Sequence, residues 1–334
     1  MRAYVSTLLA FASLFFLSCE SQKLKNGQFP DQPVNLREIN SPYDDINSDI
    51  PFINHQVPLV FSTNRSNPQT RDFNLTVRFL DFTWDKSEGV LRVNSSNTLF
   101  DKGFESFRDM VRRTESTSNE KGPYSFIDSP PDRLLLYSRE VDGVYSIFAE
   151  PEVLDFSNRR IQSFRMTENS SHEMYPSFYG KEFVKGAETT SNGRPELMLF
   201  TSNKDGQFDL YETELPSSQS VLLFLFKNEP KTIRKLSLNS TSNDHMPFVF
   251  GDLLVFASDR PGGYGGYDLY YSKKTVSGWS EPVNLGPQIN SVHDEYRPVV
   301  SSYPEFANQL MIFSSNRPGE MGGFDLYFVG IPKF

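Results

Sequence analysis

The chain has 334 residues, with 33 Lys and Arg against 42 Asp and Glu and a formal charge of −9. That balance, with no basic cluster to offset it, excludes a nucleic-acid binder, which needs a cationic face to displace counterions. Thirty Phe and fifteen Tyr supply ample core for stacked sheets, and the length suits either two ordinary domains or one long repeat protein.

The first segment is a leader. Arg2 makes a thin positive region, Ala3 to Phe16 is apolar but too short to span a bilayer comfortably, and Phe16-Leu17-Ser18-Cys19 follows. Residues 1–18 therefore read as a signal peptide. Cys19 is the one cysteine, which rules out a disulfide within the chain. Its setting resembles a bacterial lipobox, departing from it at Leu17 and Phe16, and makes Cys19 the expected lipidation site. Residues 19–30, polar and without periodicity, read as a lipid-anchored tether.

From residue 31 to 334 the chain is built of repeats. The best copies are Leu253 to Lys274 and Leu310 to Ile331; weaker ones are Pro58 to Phe79, Leu134 to Glu150 and Leu197 to Leu215. Each reads as an apolar strand ending in an aromatic, a turn rich in Ser, Asn, Asp, Arg and Gly, then a strand opened by aromatic-Asp-Leu-Tyr or a degenerate form of it. The anchoring aromatics are Phe61, Tyr137, Phe200, Phe256 and Phe313. A proline upstream of each hairpin, Pro51, Pro123, Pro176, Pro247 or Pro298, is expected to open a further strand, since proline lacks the N–H that a ladder needs.

A unit of roughly 50 residues with four short strands has the size of a propeller blade and must stack on its neighbours. The fold expected is all-β, a single five-bladed β-propeller, with a sixth blade in one of the long intervals as the alternative. The last copy ends without an outer strand, and Gln32 to Leu36 repeats the wording of Glu281 to Leu285. The N-terminal strand is therefore expected to close the ring. Inserts near 85–113, where FESFRDMVRR suggests a short helix, and near 180–194 are candidates for partner contacts. Val221 to Phe226 reads as a buried strand or an exposed contact patch.

The motifs SSNRPGxxGGFDLY and PxNLGxxINSxxDE resemble TolB-like propeller repeats, relatives of the WD-type propeller, in the form found in outer-membrane lipoproteins of the Bacteroidota. The resemblance implies a lipid-anchored, non-catalytic propeller on the outer membrane, docked onto an outer-membrane or surface protein complex. It leaves the leaflet open.

Two acidic sets recur. Asp209, Asp268 and Asp325 open the Asp-Leu-Tyr strands, and repetition in equivalent places points to local work, the binding of turn N–H groups. Glu120, Glu173, Asp244 and Glu295 lie three residues before a proline, with Asp45 as their counterpart. They could ring the channel mouth, each capping backbone N–H groups or together holding a divalent cation such as calcium; no other cofactor is implied. His172, His245 and His293 fall in the same loops at unequal offsets, which does not favour a zinc site. Trp84 and Trp279 could stack on a sugar, although Trp279 recurs with the blade motif and reads as core. No nucleophile elbow or His-Glu-x-x-His is present. The expected function is thus a scaffold or accessory subunit in secretion, outer-membrane assembly or nutrient import, and not an enzyme. The alternatives are a glycan-binding surface lipoprotein or a propeller glycosidase, the latter needing two non-repeated carboxylates across a pocket.

Overall fold

The computed structural model describes residues 26–51, 57–66, 69–70, 72–96, 104–129, 132–152, 162–167, 170–185, 193–227, 229–319 and 321–334. The leader and Cys19 lie outside the described residues. A short strand β1 (Val34–Asn35) comes first. The first blade is β2 (Asp45–Asp49), β3 (Val57–Thr63), β4 (Asn74–Asp85) and β5 (Val90–Ser96). The second is β6 (Glu120–Ser129), β7 (Asp132–Val141), β8 (Val144–Pro151) and β9 (Gln162–Phe164). The third is β10 (Glu173–Tyr179), β11 (Leu197–Ser202), β12 (Asp209–Glu214) and β13 (Ile233–Lys235). In the fourth, β14 (Asp244–Phe250), β15 (Leu253–Ser258) and β16 (Asp268–Thr275) are followed by β17 (Gly278–Trp279) and β18 (Val283–Asn284), both paired to β16. The fifth is β19 (Glu295–Ser301), β20 (Gln309–Ser315) and β21 (Asp325–Ile331), completed by β1.

The five inner strands β2, β6, β10, β14 and β19 contact one another in a closed circle. This is a five-bladed β-propeller closed by its N-terminal strand. Val34 and Asn35 pair with Phe328 and Tyr327, as Val283 and Asn284 pair with Tyr271 and Tyr270. The side chains repeat the match: Asn35 donates to Asp325 at 3.0 Å and Asn284 to Asp268 at 3.0 Å. Upstream, Phe29 is fully buried and stacks on Phe306 at 4.0 Å, while Asn308 accepts from its N–H and donates to its carbonyl. The five anchoring aromatics are all fully buried between blades.

Each inner strand breaks register after its second residue. The third residue is left-handed in every blade: Asn47 at φ 55°, Gly122 at 61°, Tyr175 at 55°, Met246 at 56° and Arg297 at 44°. A bulge of this kind leaves residues outside the ladder. The prolines fall there. Pro123, Pro176, Pro247 and Pro298 are fourth residues of their strands and not first ones, because the bulge asks no hydrogen bond of their nitrogen. In the first blade Ser48 takes that place and Pro51 lies beyond β2. Glycine is required at position 122 twice over, since a Cβ there would stand 2.2 Å from the Tyr175 ring.

Of three remaining segments, one departs from its expectation. In the segment near 85–113, β5 is the outer strand of the first blade, and the short helix suggested by FESFRDMVRR is present as α1 (Glu105–Arg113), which buries Phe107, Met110 and Val111 against Val60, Leu135 and Tyr137 at the seam between two blades. Val221 to Phe226 is not a strand. Helix α2 (Val221–Leu225) forms there under a Ser220 cap, burying Val221 and Leu225 and leaving Leu223 63% exposed. From the 180–194 segment, Lys185 turns inward to the axis.

Replacing the stacked ring that seats the N-terminal segment should loosen closure. Phe29→Ala is expected to cost about 3–5 kcal/mol, read as a lower urea midpoint at unchanged slope.

Candidate functional site

Strand direction divides the ring into two faces. The starts of the inner and third strands lie on one, here the mouth face, and the turns joining first to second strands lie on the other, the back. All five acids of the expected ring open inner strands on the mouth face, and each is fully buried. They do not face one another. Asp45 pairs with Arg65 at 2.6 Å, Glu120 with Arg139 at 2.8 Å, Glu173 with Arg165 at 3.6 Å, Asp244 with Arg260 at 2.5 Å and Glu295 with Arg317 at 2.9 Å. A serine or threonine upstream completes each clamp: Ser41, Ser116, Thr167, Ser240 or Ser291. Each of these arginines also donates to a backbone carbonyl in the loop before the acid, such as Ile39 for Arg65 and Ile289 for Arg317. Burial lifts the Asp45, Glu120 and Glu295 carboxyls above their usual range, and the hydroxyl and arginine contacts pull them back. An arginine thus occupies the electrostatic role foreseen for a cation. Among the described residues no group of three or more His, Cys, Asp or Glu could hold a metal ion.

The second acidic set divides. Asp268 accepts from the N–H groups of Tyr264 and Gly265, and Asp325 from those of Met321 and Gly322, as expected of turn-binding residues. Asp209 does not follow them, because Lys235 reaches it at 2.5 Å and takes the place of the turn. Trp279 packs on Tyr179 at 5.5 Å and is half-buried. Trp84 lies against Phe306 at 6.4 Å.

A latch that repetition did not reveal joins neighbouring blades. The residue before each acid accepts from the N–H of an aromatic at the start of the previous blade's third strand. Asp44 takes Phe324, Asn119 takes Phe73, His172 takes Tyr145, Asn243 takes Phe208 and Asp294 takes Tyr267, all between 2.9 and 3.1 Å. His172 is therefore the structural equal of two asparagines and two aspartates, using Nδ1 as its acceptor. The aromatics so held are half-buried and form a collar at the mouth. Tyr296 stacks on Phe324 at 5.0 Å and meets Tyr267 edge-on at 5.4 Å. His172 lies 5.8 Å from Tyr145 and 5.9 Å from Phe208, and His245 lies 4.3 Å from Phe208. Lys121 sits over Phe73 at 4.9 Å and Tyr145 at 5.7 Å. Met174, Tyr175 and Met246 pack beneath Tyr145, Phe208 and Tyr296.

Below the collar the axis is bolted shut. Arg297 reaches from the fifth blade to the Pro247 carbonyl of the fourth at 2.8 Å and the Pro123 carbonyl of the second at 3.2 Å. Asn47 donates across to the Tyr175 hydroxyl at 3.2 Å. From the back, Lys185 lies 2.9 Å from Asp49 and donates to the Ile50 carbonyl at 2.8 Å. Burial lowers the Lys185 ammonium, and Asp49 opposes the shift. His245 is buried, accepts from the Met246 N–H at 3.0 Å, and is pushed down to about 3 by burial first and then by the charges of Lys121, Arg297 and His172. His293 stands apart, its N–H given to Ser291.

No protein-family model and no curated protein matches the chain. Solved structures share its architecture. The α-L-arabinofuranosidase of Podospora anserina in complex with cellotriose is 12% identical, with 90% of this chain and 98% of that one covered and a TM-score of 0.48. The endo-arabinase of Bacteroides thetaiotaomicron is 13% identical, with 92% and 99% covered and a TM-score of 0.45. TolB of Acinetobacter baumannii is 13% identical, with 83% of this chain and 52% of that one covered and a TM-score of 0.34. The expectation that the chain is not an enzyme is corrected by these neighbours: rings of this form include glycoside hydrolases, so the architecture does not mark a chain as catalytically inert. The scaffold expectation gains no support from them.

The depressed His245 has a thermodynamic consequence. Its folded value near 3 lies below the ordinary 6.5, so as pH falls through 6.5 the unfolded chain binds this proton first and the native state loses stability, until the folded group also titrates. His245 is expected to contribute a slope of up to about 1.4 kcal/mol per pH unit in that window. Urea titrations from pH 7 to pH 4 should show His245→Gln with a shallower slope than the parent chain.

Proposed function

We propose that the ring takes a carbohydrate chain at its mouth. The observation that supports this reading is the collar. Half-buried rings from all five blade boundaries, fixed by the backbone latches, stand beside Lys121, His172 and the rim carboxylates Asp44, Glu140, Asp259 and Asp294. Aromatic faces with a few placed polar groups are the general make-up of a small-molecule site. The C–H faces of a sugar suit the rings, and its hydroxyls suit the polar groups between them. Asp44, Asp259 and Asp294 hold asparagine side chains. Glu140 holds Asn119 and supports Tyr145.

Cellotriose and xylotriose, seen in complexes of the structural neighbours, are suitable first probes, with arabinan oligosaccharides beside them. Calorimetry is expected to show binding to at least one of these. Phe208→Ala and Tyr296→Ala should each weaken it about tenfold or more, the scale of one lost stacking contact. The same mixtures, assayed for new reducing ends, separate capture from hydrolysis. A ring that binds and cleaves no sugar, neutral or acidic, would refute the reading.

We also propose that the ring is a TolB-like lipoprotein held at the outer membrane through Cys19, on the strength of the leader and the repeat motifs. Cys19→Ser is expected to abolish palmitate labelling in cells and release the protein from the membrane fraction; labelling that persists would remove the anchor.

A further inference from the structure

We propose that the sugar chain taken at the mouth is acidic and that Lys121 recognises its anionic group. This rests on the carbohydrate reading above and adds the substrate class. The chain carries a net charge of −9, yet a lysine stands half-buried among the collar rings of its mouth. Lys121 is the second residue of β6, half-buried, with its ammonium over the rings of Phe73 and Tyr145. Among the described residues its amine has no ion-pair partner. Glu140 and Asp44 are the nearest carboxylates acting on it, and burial outweighs them, lowering the ammonium below its usual range.

Asp44 and Glu140 are engaged by the amides of Asn64 and Asn119, and deeper in the axis further cations stand below Lys121. The Arg297 guanidinium donates only to neutral carbonyls, and its Nε has no acceptor. Asp49 pairs with Lys185, accepts from Ser125 and also acts on the charge of Arg297. His245 is neutral and brings no negative charge. A half-buried ammonium held between two rings, above an axis where Lys185 and Arg297 share the charge of Asp49, is costly unless an anion completes it. A ligand acid reaching past the collar would form a charge-assisted hydrogen bond with Lys121 in a site already partly cleared of water. Lysine acts as a point charge and does not demand the planar fork that arginine prefers. The shared chemistry is therefore a single anionic group on a sugar ring, either the carboxylate of a uronic acid or a sulfate ester.

The test compares trigalacturonate, a sulfated disaccharide and neutral xylotriose by calorimetry on the full ring. At least one acidic sugar is expected to bind about tenfold or more tightly than xylotriose, as one charge-assisted hydrogen bond would give. That preference should shrink with rising salt in the unaltered protein. Lys121→Met should collapse the affinity ratio toward one, and Lys121→Arg should keep most of it. Trigalacturonate alone would identify a uronate as the source, and the sulfated sugar alone a sulfate. Equal affinity for acidic and neutral sugars, or a preference untouched by Lys121→Met and by salt, would overturn the inference and leave the carbohydrate reading standing. Failure of every sugar to bind would overturn both.

Discussion

The ring depends on one backbone constraint, the left-handed third residue of each inner strand. Without it the proline that follows would break a ladder, and the strand could not sit at the crowded axis. With it the chain bends where five strands converge, and the opening acid turns inward onto its arginine. A left-handed conformation at a residue other than glycine is uncommon and costly. Asn47, Tyr175, Met246 and Arg297 all accept it. All four are bound across the axis or packed beneath the collar, Arg297 on two carbonyls, Asn47 on Tyr175, Tyr175 over Gly122 and Met246 under Phe208 and Tyr296. The strain is thus held by contacts that only a closed ring can make.

Two kinds of polar joint then distribute the load. Within a blade, the clamp of acid, arginine and an upstream serine or threonine holds the entry loop, tying it to the second strand or just beyond it in every blade but the third. Between blades, the residue before the acid catches the backbone of its neighbour. Burying an ion pair gives little net stability by itself, but removing one partner leaves a charge stranded. Five such clamps therefore act more as geometric locks than as a reserve of energy. The apolar seams between sheets, with Phe61, Tyr137, Phe200, Phe256 and Phe313 fully enclosed, supply the driving force.

Much of this was legible in the residues, because repetition marks equivalent positions. Blade count, closure by PVNL and the roles of Asp268 and Asp325 follow from the repeat. The arginine partners were legible too and were passed over: Arg65, Arg260 and Arg317 stand four residues beyond Phe61, Phe256 and Phe313, each guanidinium over its ring at 5.3 to 5.4 Å. The third blade has Lys204 in that place, so Arg165 from another segment reaches Glu173 instead. The latch was hidden by chemistry. Its acceptors are Asp, Asn and His, which share a hydrogen-bonding capacity and little else, and His172 counted by type looks like a metal ligand when by position it is an asparagine. The bulge was hidden as well, since a proline, lacking the N–H that a ladder needs, signals the first residue of a strand and not its middle. Helix α2 was misread because six apolar residues show no period, and only the Ser220 cap distinguishes a helical turn from a buried strand.

The seat of the N-terminal segment has a directional consequence. Gly27 bridges to Phe306, and the Pro30 carbonyl accepts from the Gly330 N–H, both beside the turn between β19 and β20. That turn is on the back of the ring, with β1 running from there toward the mouth. Gly27 thus enters the ring from its back, on the side away from the aromatic collar. A force applied to the chain at Gly27 would load Phe29 and the β1 pairing before any contact at the collar, which makes the closure strand the mechanical weak point of the fold and leaves the mouth undisturbed.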